Sequence, residues 1–383
     1  MDSLIKLKAE LLIHGARVDE TLYEQYKKQN PREILKTGNN GLFVRIAKKH
    51  EVMICVSHKK NAESPYKLVY DEENNNSYIM NNGVQLVNVE IMEIPTFYNN
   101  EIGQKKFHEV FLFEGFSYFH IAYKGCDFFN RKLECKYCTT GKGQKNKSIS
   151  SQEIGAAAAT IDTEHNYHIC IGGGTILPQD TNIKFGHRDY FKANMDYFVQ
   201  AISEIRKYNA TIPIWIECVP PYESDIDRLV EAGATSFGFN IEIWNPKRKS
   251  TICPGKSEIP REHYLKMLQY AVECVGNNKV GSSLIIHGTE FDEKKELLVA
   301  IKELSKIGVH TCLLPYKPFT ETKIIGKCDV DLFYEVNEFA YECYQKYNLD
   351  PFQNEGCMLC SSCTILLDIF KSKQNQTYIT KVA

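Results

Sequence analysis

Three closely spaced cysteines, Cys126, Cys135 and Cys138, directly follow the apolar segment 116–123. Thiolate groups favour zinc or an iron–sulfur cluster over harder cations. The two-residue gap between Cys135 and Cys138 lets their sulfurs converge on one site. A structural zinc closes its shell with four protein groups, whereas a cluster held by three cysteines leaves one iron accessible. The spacing therefore predicts a metal centre that can take a further ligand.

A second cysteine group, Cys357, Cys360 and Cys363, lies near the end of the sequence. Its spacing favours a metal site over free thiols. A zinc site would need a fourth ligand from elsewhere, but we prefer an auxiliary iron–sulfur cluster if the first group holds a cluster. Candidates for a fourth zinc ligand are Cys328, Cys343 and His310.

Length and composition indicate a globular protein with a large core. The chain has 383 residues, of which 43% are hydrophobic, and this suggests one large domain with an appendage or two medium ones. A formal net charge of −2 argues against a broad nucleic-acid surface. The first residues do not resemble a signal peptide, and no apolar run approaches the roughly 18 residues of a membrane span. We therefore expect a cytoplasmic protein whose scattered cysteines are buried, reduced thiols.

The first 110 residues read as a small α+β cap. A short amphipathic helix is predicted near Leu4–Gly15, followed by strand-like runs at 42–46, 52–56 and 84–94 that polar turn clusters separate. No chemical motif stands out in this region.

From residue 116 the pattern changes to an alternation of strands and helices. Capping-box spacing at Ser150/Glu153 and at Ser224/Asp227 marks helix starts, while Gly233, Gly276 and Gly308 mark helix ends. The predicted strands are Phe116–Tyr123, Tyr167–Ile171, Ile212–Cys218, Ser236–Ile243, Lys279–Ile286 and Thr311–Leu314, and the predicted helices are Ser151–Asp162, Tyr190–Tyr208, Ser224–Ala232, Arg261–Val275 and Glu293–Ile307.

Six such units indicate a parallel βα barrel or an open α/β sheet, whose functional loops follow the carboxyl ends of the strands. The three-cysteine loop follows the first strand and would lie on that face. We divide the chain into a cap (1–110), a barrel (111–325) and a carboxyl-terminal tail (326–383). The tail should begin with a helix over Asp331–Tyr347, and its cysteines are expected to fold back across the carboxyl-end mouth of the barrel.

Polar and glycine-rich residues end several of these strands. The triplet Gly172, Gly173 and Gly174, followed by Thr175, allows the backbone to approach a ligand, although a plain tight turn is the simpler interpretation of a lone triplet. Buried polar groups are costly unless paired, so those on the next strands are either structural ion pairs or contacts to a cofactor or substrate. These are Glu217, Asn240, Glu242 and Arg248, with Lys256 a weaker candidate for an anionic group and His287 on the fifth strand more simply a satisfied histidine.

These motifs together resemble the radical S-adenosylmethionine (SAM) superfamily, with a biotin synthase-like barrel. The chain differs in the eight residues between Cys126 and Cys135, where three are common, and in having Gly-Gly-Gly-Thr where two glycines and a glutamate are common. The long CX8CX2C loop, the segments 217–221 and 253–256 and the tail cysteines resemble a branch often encoded beside nitrilases. The resemblance covers most of residues 40–370 and supplies no substrate.

The resemblance implies a partial (βα)6 TIM-type barrel and a [4Fe-4S] cluster whose open iron chelates SAM. It also implies a flavodoxin or ferredoxin-type electron donor and a small-molecule substrate, without nucleic acid or membrane. Tyr137, next to the last cysteine, fits the family pattern, and the fifth strand and the end of the sixth would pack the adenine. The implied cofactor-binding residues are Tyr137, Gly172, Gly173, Gly174, Thr175, Glu217, Asn240, Glu242, Arg248, Ile286 and Pro315, and the implied catalytic residues are Glu217, Glu242 and His287.

The function that the sequence favours is therefore reductive cleavage of SAM to a 5′-deoxyadenosyl radical, which abstracts hydrogen from a small substrate. A zinc-stabilised binding module with two cysteine sites and no redox chemistry is the alternative.

Overall fold

The structure of the chain is a computed structural model. It describes residues 2–22, 24, 41–55, 63–115, 118–121, 125–138, 149–161, 167–172, 174–288, 293–317, 328–353 and 355–382. Gly173 and the ends of the predicted strand Phe116–Tyr123 lie outside this range, as do the side chains of residues 118–121 and of Cys357. Within the described part of the chain, no helix is long and apolar enough to cross a bilayer.

The amino-terminal region contains helix α1 (Ser3–His14) and a six-stranded sheet in the order β1-β4-β5-β6-β2-β3. Leu42, Val44 and Ile46 alternate along one strand and point into the core, because successive side chains of a strand face opposite ways. Helix α1 covers this core and also contacts the carboxyl-terminal helix pair. The strands are β1 (Arg17–Val18), β2 (Gly41–Ile46), β3 (His50–Cys55), β4 (Tyr66–Asp71), β5 (Asn76–Asn81) and β6 (Val84–Ile91).

A short hairpin and helix lead into the second sheet, which forms the partial (βα)6 TIM-type barrel. Its seven strands lie in the order β15-β14-β13-β12-β11-β10-β9; β9 is antiparallel to β10, and the six strands from β10 to β15 are parallel. The elements are β7 (Glu101–Ile102), β8 (Lys105–Lys106), α2 (Phe107–Val110), β9 (Phe111–Glu114), β10 (Tyr118–Ile121), β11 (His168–Ile171), β12 (Ile214–Cys218), β13 (Ser236–Phe239), β14 (Val280–Ile286) and β15 (His310–Pro315).

The helices between these strands pack on the outside of the barrel through apolar faces. The Ser150/Glu153 capping box is present, and Gly233 ends its helix in the left-handed conformation that glycine tolerates. The capping box predicted at Ser224/Asp227 is wrong, because that helix begins at Glu223 after Tyr222, which makes no side-chain cap. The helices are α3 (Asp127–Asn130), α4 (Ser151–Ala158), α5 (Lys192–Tyr208), α6 (Glu223–Ala232), α7 (Pro246–Ile252), α8 (Pro254–Ser257), α9 (Arg261–Val275) and α10 (Glu293–Lys306).

The tail does not cross the carboxyl-end mouth of the barrel, and that prediction is wrong. After α11 (Val330–Tyr347), Glu355 pairs with Lys279 and accepts a hydrogen bond from Thr235 at 2.5 Å. Both partners immediately precede their strands, so this contact lies at the amino ends. Helix α12 (Cys357–Cys360) then packs against β15, and α13 (Leu366–Val382) packs against α11. The long α11 and the ion pair to Glu355 bring the tail to the opposite end from the three-cysteine loop.

Candidate active site

A cavity of about 200 Å³ opens at the carboxyl ends of the central strands. It lies on the face where parallel βα folds place their functional loops. All three cysteines of the first group line it, together with residues at or after the carboxyl ends of β11, β12 and β13. The lining residues are Cys126, Phe128, Phe129, Cys135, Tyr137, Cys138, Gly174, Thr175, Glu217, Cys218, Val219, Asn240, Glu242 and Lys256.

Backbone contacts hold the three-cysteine loop against the loop after β11. The N–H of Asp127 donates to the carbonyl of Thr175 at 2.9 Å, and the Asp127 carboxylate accepts from the N–H of Leu177 at 2.8 Å. The N–H of Cys138 closes a turn onto the carbonyl of Cys135 at 3.0 Å, which brings that pair together. The eight residues between Cys126 and Cys135 thus form the helical turn α3 and then return the chain to the same cavity.

The donor set fits an iron–sulfur cluster. Three thiols line the same cavity, and thiolate-only donors select zinc or iron–sulfur centres. Burial raises the pKa of the Cys126 thiol, and a hydrogen bond with Cys253 followed by burial raises the pKa of Cys135 well above its usual value. Without a metal these thiols stay protonated at neutral pH, so metal binding releases their protons.

Gly172 forms a close contact between β11 and β12. A Cβ placed there would lie 2.8 Å from the Cβ of Glu217 and 2.9 Å from its carbonyl oxygen, so only glycine fits without a shift. Gly174 and Thr175 continue into the cavity wall. The glycine triplet therefore serves strand packing at its first residue and lines the cavity at its third; Gly173 lies outside the described residues.

Glu217 and Asn240 form a hydrogen-bonded pair on neighbouring strands. The Asn240 amide donates to Glu217 Oε1 at 2.5 Å, and its carbonyl oxygen accepts from the N–H of Ser283 on β14 at 2.9 Å. The thiol of Cys170 lies 3.8 Å from the second Glu217 oxygen. Asn240 thus fixes the orientation of a carboxyl group that faces the cavity, where a cationic or hydroxyl group could hydrogen-bond to it.

Glu242 has an unusual backbone. Its φ is +65°, in the left-handed region that costs a residue with a Cβ about 1–2 kcal/mol. Its N–H donates to the carbonyl of Ser283 at 2.8 Å and its carbonyl accepts from Ile285 at 3.0 Å, so β14 holds it on both sides. The carboxylate accepts from Lys256 Nζ at 2.8 Å, and both groups line the cavity. Strain held by such contacts is typical of functional sites.

Four predicted site residues lie away from the cavity wall. Arg248 bonds to Glu296 at 3.0 Å and lies 3.4 Å from Glu293, which ties α7 to α10. His287 is fully buried and stacks on Tyr316, while its backbone N–H donates to Glu293 at 2.6 Å. Arg248, His287, Ile286 and Pro315 are absent from the cavity lining that the described residues form.

Cys253 is the main site residue that sequence reasoning passed over. It is fully buried and belongs to one cluster with Cys135, against which Tyr137 and Cys138 pack. From the sequence it is one of the scattered cysteines expected to be buried thiols, because its link to the three-cysteine loop depends on contacts between distant segments. Its place in the Cys-Pro-Gly-Lys segment, next to Lys256, was the available signal.

The family model of the Radical SAM superfamily matches residues 121–312, just over half of the chain. Bacteriochlorophyllide c C-7(1)-hydroxylase of Chlorobaculum limnaeum is 26% identical over 132 residues, which are 33% of this chain and 32% of that protein. The chain thus aligns with about a third of that relative. The structure is similar to that of methylornithine synthase, with a TM-score of 0.46 and 13% sequence identity, over 66% of this chain and 70% of that protein. It is also similar to the structure of a radical SAM methyltransferase from Sphaerobacter thermophilus, with a TM-score of 0.44 and 13% sequence identity, over 79% of this chain and 78% of that protein.

Proposed function

This chain belongs to the radical SAM superfamily, and from that premise we propose that it is an enzyme that uses SAM and a [4Fe-4S] cluster to abstract hydrogen from a small-molecule substrate. The cluster, when bound, supplies the electron that cleaves SAM to a 5′-deoxyadenosyl radical. The observation that carries the proposal is that Cys126, Cys135 and Cys138 line one cavity with the Gly172–Glu217 contact at its edge.

The chain's own residues bind and orient the reactants. Cys126, Cys135 and Cys138 would hold the cluster, and the Glu217 carboxylate, aimed by Asn240, would accept hydrogen bonds from SAM or the substrate. Phe128 and Phe129 form an apolar part of the wall, which limits the access of water to a reactive site. A flavodoxin or ferredoxin-type donor would supply electrons in the cytoplasm, where thiols stay reduced.

The test begins with anaerobic purification of the full chain. We expect a brown protein that contains iron and sulfide, bleaches with dithionite, and forms 5′-deoxyadenosine from SAM. A colourless protein that contains only zinc would favour the zinc-stabilised binding module instead.

A substitution at Gly172 tests the cavity wall. Gly172→Val is expected to lower SAM affinity at least tenfold, because the new side chain displaces Glu217 from its place on β12. The iron content should not change, since the atoms nearest the new side chain belong to Glu217 and not to a cysteine. Isothermal titration with SAM and iron analysis measure the two effects, and Ala210→Val, at an exposed alanine, controls for valine itself. Unchanged SAM affinity would show that Gly172 serves only a tight turn and has no role in SAM binding.

The tail cysteines are proposed to hold an auxiliary iron–sulfur cluster. Cys360 and Cys363 lie in a buried region where burial raises the pKa of Cys360 to about 11 and that of Cys363 to about 12. Cys363 packs against Phe43 and Met92 of the first sheet, so the centre would join the cap, the barrel and the tail. A cluster here could anchor a substrate, accept an electron or donate sulfur; its place at the amino ends of the strands favours the electron role.

Removal of all three tail thiols distinguishes an auxiliary iron–sulfur cluster from a structural zinc site. The Cys357→Ala/Cys360→Ala/Cys363→Ala variant is expected to lose the iron of one cluster and to keep cleaving SAM. Metal analysis measures iron and zinc, and chromatography measures 5′-deoxyadenosine. Cys274→Ala is the control, because Cys274 is a partly buried thiol on α9 that is not a candidate ligand of the tail site. Full iron retention, or loss of zinc alone, would make the tail site structural.

A further inference from the structure

Cys253 is held against the three-cysteine loop by its neighbours. The N–H of Lys136 donates to the carbonyl of Ile252 at 2.8 Å, and the N–H of Gly255 donates to the carbonyl of Leu133 at 3.0 Å. One hydrogen bond lies on each side of Cys253, and both reach the loop that carries Cys135. The two bonds therefore fix Cys253 relative to Cys135 through the backbone.

The close approach also depends on Gly255. A Cβ at this position would lie 2.2 Å from the ring of Phe128, so any other residue would push the segment away from the loop. The Cys253 side chain is fully buried as a result. A thiol that served only core packing would not require this docking.

The sulfur of Cys253 lies among three groups that could accept its hydrogen. The Cys253 Sγ, the Cys135 Sγ and a Glu242 carboxylate oxygen all lie within 4.8 Å of one another. The Tyr137 hydroxyl is 3.7 Å from the Cys253 sulfur, and Glu242 Oε2 is 3.9 Å from it. These distances allow weak hydrogen bonds of the kind a thiol makes.

Glu242 and Tyr137 already have other partners. Lys256 donates to Glu242 Oε1 at 2.8 Å, and the Tyr137 hydroxyl also hydrogen-bonds to the Glu242 carboxylate. Cys135 differs from both, because it becomes a thiolate when it binds a metal. A thiolate is a charged acceptor, and the Cys135 sulfur lies within 4.8 Å of the Cys253 sulfur, so the Cys253 hydrogen can also be donated to it.

We propose that Cys253 is a positioning residue that donates an S–H hydrogen bond to the Cys135 thiolate and thereby raises the reduction potential of the group that Cys135 holds. The inference rests on the proposed function. Hydrogen bonds to cysteine sulfur stabilise the more negative, reduced state of an iron–sulfur centre. Direct ligation by Cys253 is the less suitable role, because a fourth thiolate would fill the position that SAM needs.

Potentiometry of the loaded protein tests the hydrogen bond. Cys253→Ala should make the midpoint potential more negative, as measured by electron paramagnetic resonance. The ratio of reduced to oxidised protein at a fixed potential should then fall by about threefold to tenfold. Cys253→Ser keeps a hydrogen-bond donor, so its midpoint potential should stay close to that of the wild type. The control Cys343→Ala should match the wild type. An unshifted potential in Cys253→Ala overturns the proposal, and so does a loss of iron, which would make Cys253 a ligand.

A second measurement checks the geometry without the cluster. In the metal-free protein, diamide should remove two hydrogens from the paired thiols and form a Cys135–Cys253 disulfide, while diamide itself is reduced to the hydrazine. Peptide mapping should find this bond in metal-free wild type and in far smaller amounts in the iron-loaded protein. Absence of the disulfide overturns the placement of Cys253. A wild type that cross-links but never binds iron would instead overturn the proposed function and leave the placement intact.

Discussion

Replacing Cys126, Cys135 or Cys138 by alanine is expected to abolish 5′-deoxyadenosine formation in each single variant. The three thiols line the same cavity, and each would hold a different iron, so losing one thiolate exposes a second iron and destabilises the whole cluster. The iron assigned to this site should fall in parallel, since binding by a site of three ligands is cooperative. Anaerobic iron analysis and chromatographic measurement of 5′-deoxyadenosine check the two effects.

Cys126 is the decisive member of this set, because eight residues separate it from Cys135. Its place in the cavity depends on the hydrogen bond from Asp127 to Thr175 and on the turn of α3. Cys343→Ala again serves as the control for removal of a buried thiol. Near-normal cleavage by Cys126→Ala would show that a different residue completes the site.

The barrel, and the placement of the first cysteine group beside the strand ends, could be predicted because their signals are local. Alternating apolar runs and helical spacing identified β11, α9 and α10 close to their observed bounds, as the period of the pattern reports which face is buried. Parallel strands place their following loops on one face, which brought Cys126, Glu217 and Asn240 together without any knowledge of distances.

The parts that could not be predicted depend on contacts between distant segments. The positive φ of Glu242 is held by two hydrogen bonds exchanged with β14, and nothing in its neighbouring residues signals it. The location of the tail was mistaken because chain order allows a segment after the last strand to reach either end of a barrel. The ion pair of Glu355 with Lys279, some 76 positions earlier, selects the amino end.

Asp368→Asn is expected to destabilise the folded protein by about 3–5 kcal/mol, the usual cost of removing one partner from a buried ion pair. Asp368 Oδ2 lies 2.6 Å from Lys8 Nζ, and neither side chain is more than 3% exposed. Its other oxygen lies 2.7 Å from His50 Nδ1, so one carboxylate joins α1, β3 and α13. The variant would leave the Lys8 ammonium group in the interior without a counter-charge. The midpoint of urea unfolding at neutral pH measures the loss.

The same carboxylate predicts a loss of stability in acid. Burial opposes ionisation of Asp368, but Lys8 and His50 outweigh it and hold the pKa below its usual value. A carboxyl group whose pKa is lower in the folded state stabilises the fold above its unfolded pKa of about 3.9, and this stabilisation disappears as the pH falls through the folded value. We therefore expect the wild type to lose stability below about pH 4 more steeply than Asp368→Asn.

The surface pair Lys373–Glu338, which also joins α13 to α11, provides the matched control. Its atoms lie 3.3 Å apart with both side chains more than a third exposed, so Glu338→Gln should cost less than about 1 kcal/mol. Lys8 also donates to the carbonyl of Ser361 at 2.8 Å, between Cys360 and Cys363. If the tail holds the proposed metal centre, Asp368→Asn should consequently release that metal before the metal of the three-cysteine site. Equal effects of Asp368→Asn and Glu338→Gln on unfolding and on metal retention would show that the buried pair does not hold the tail in place.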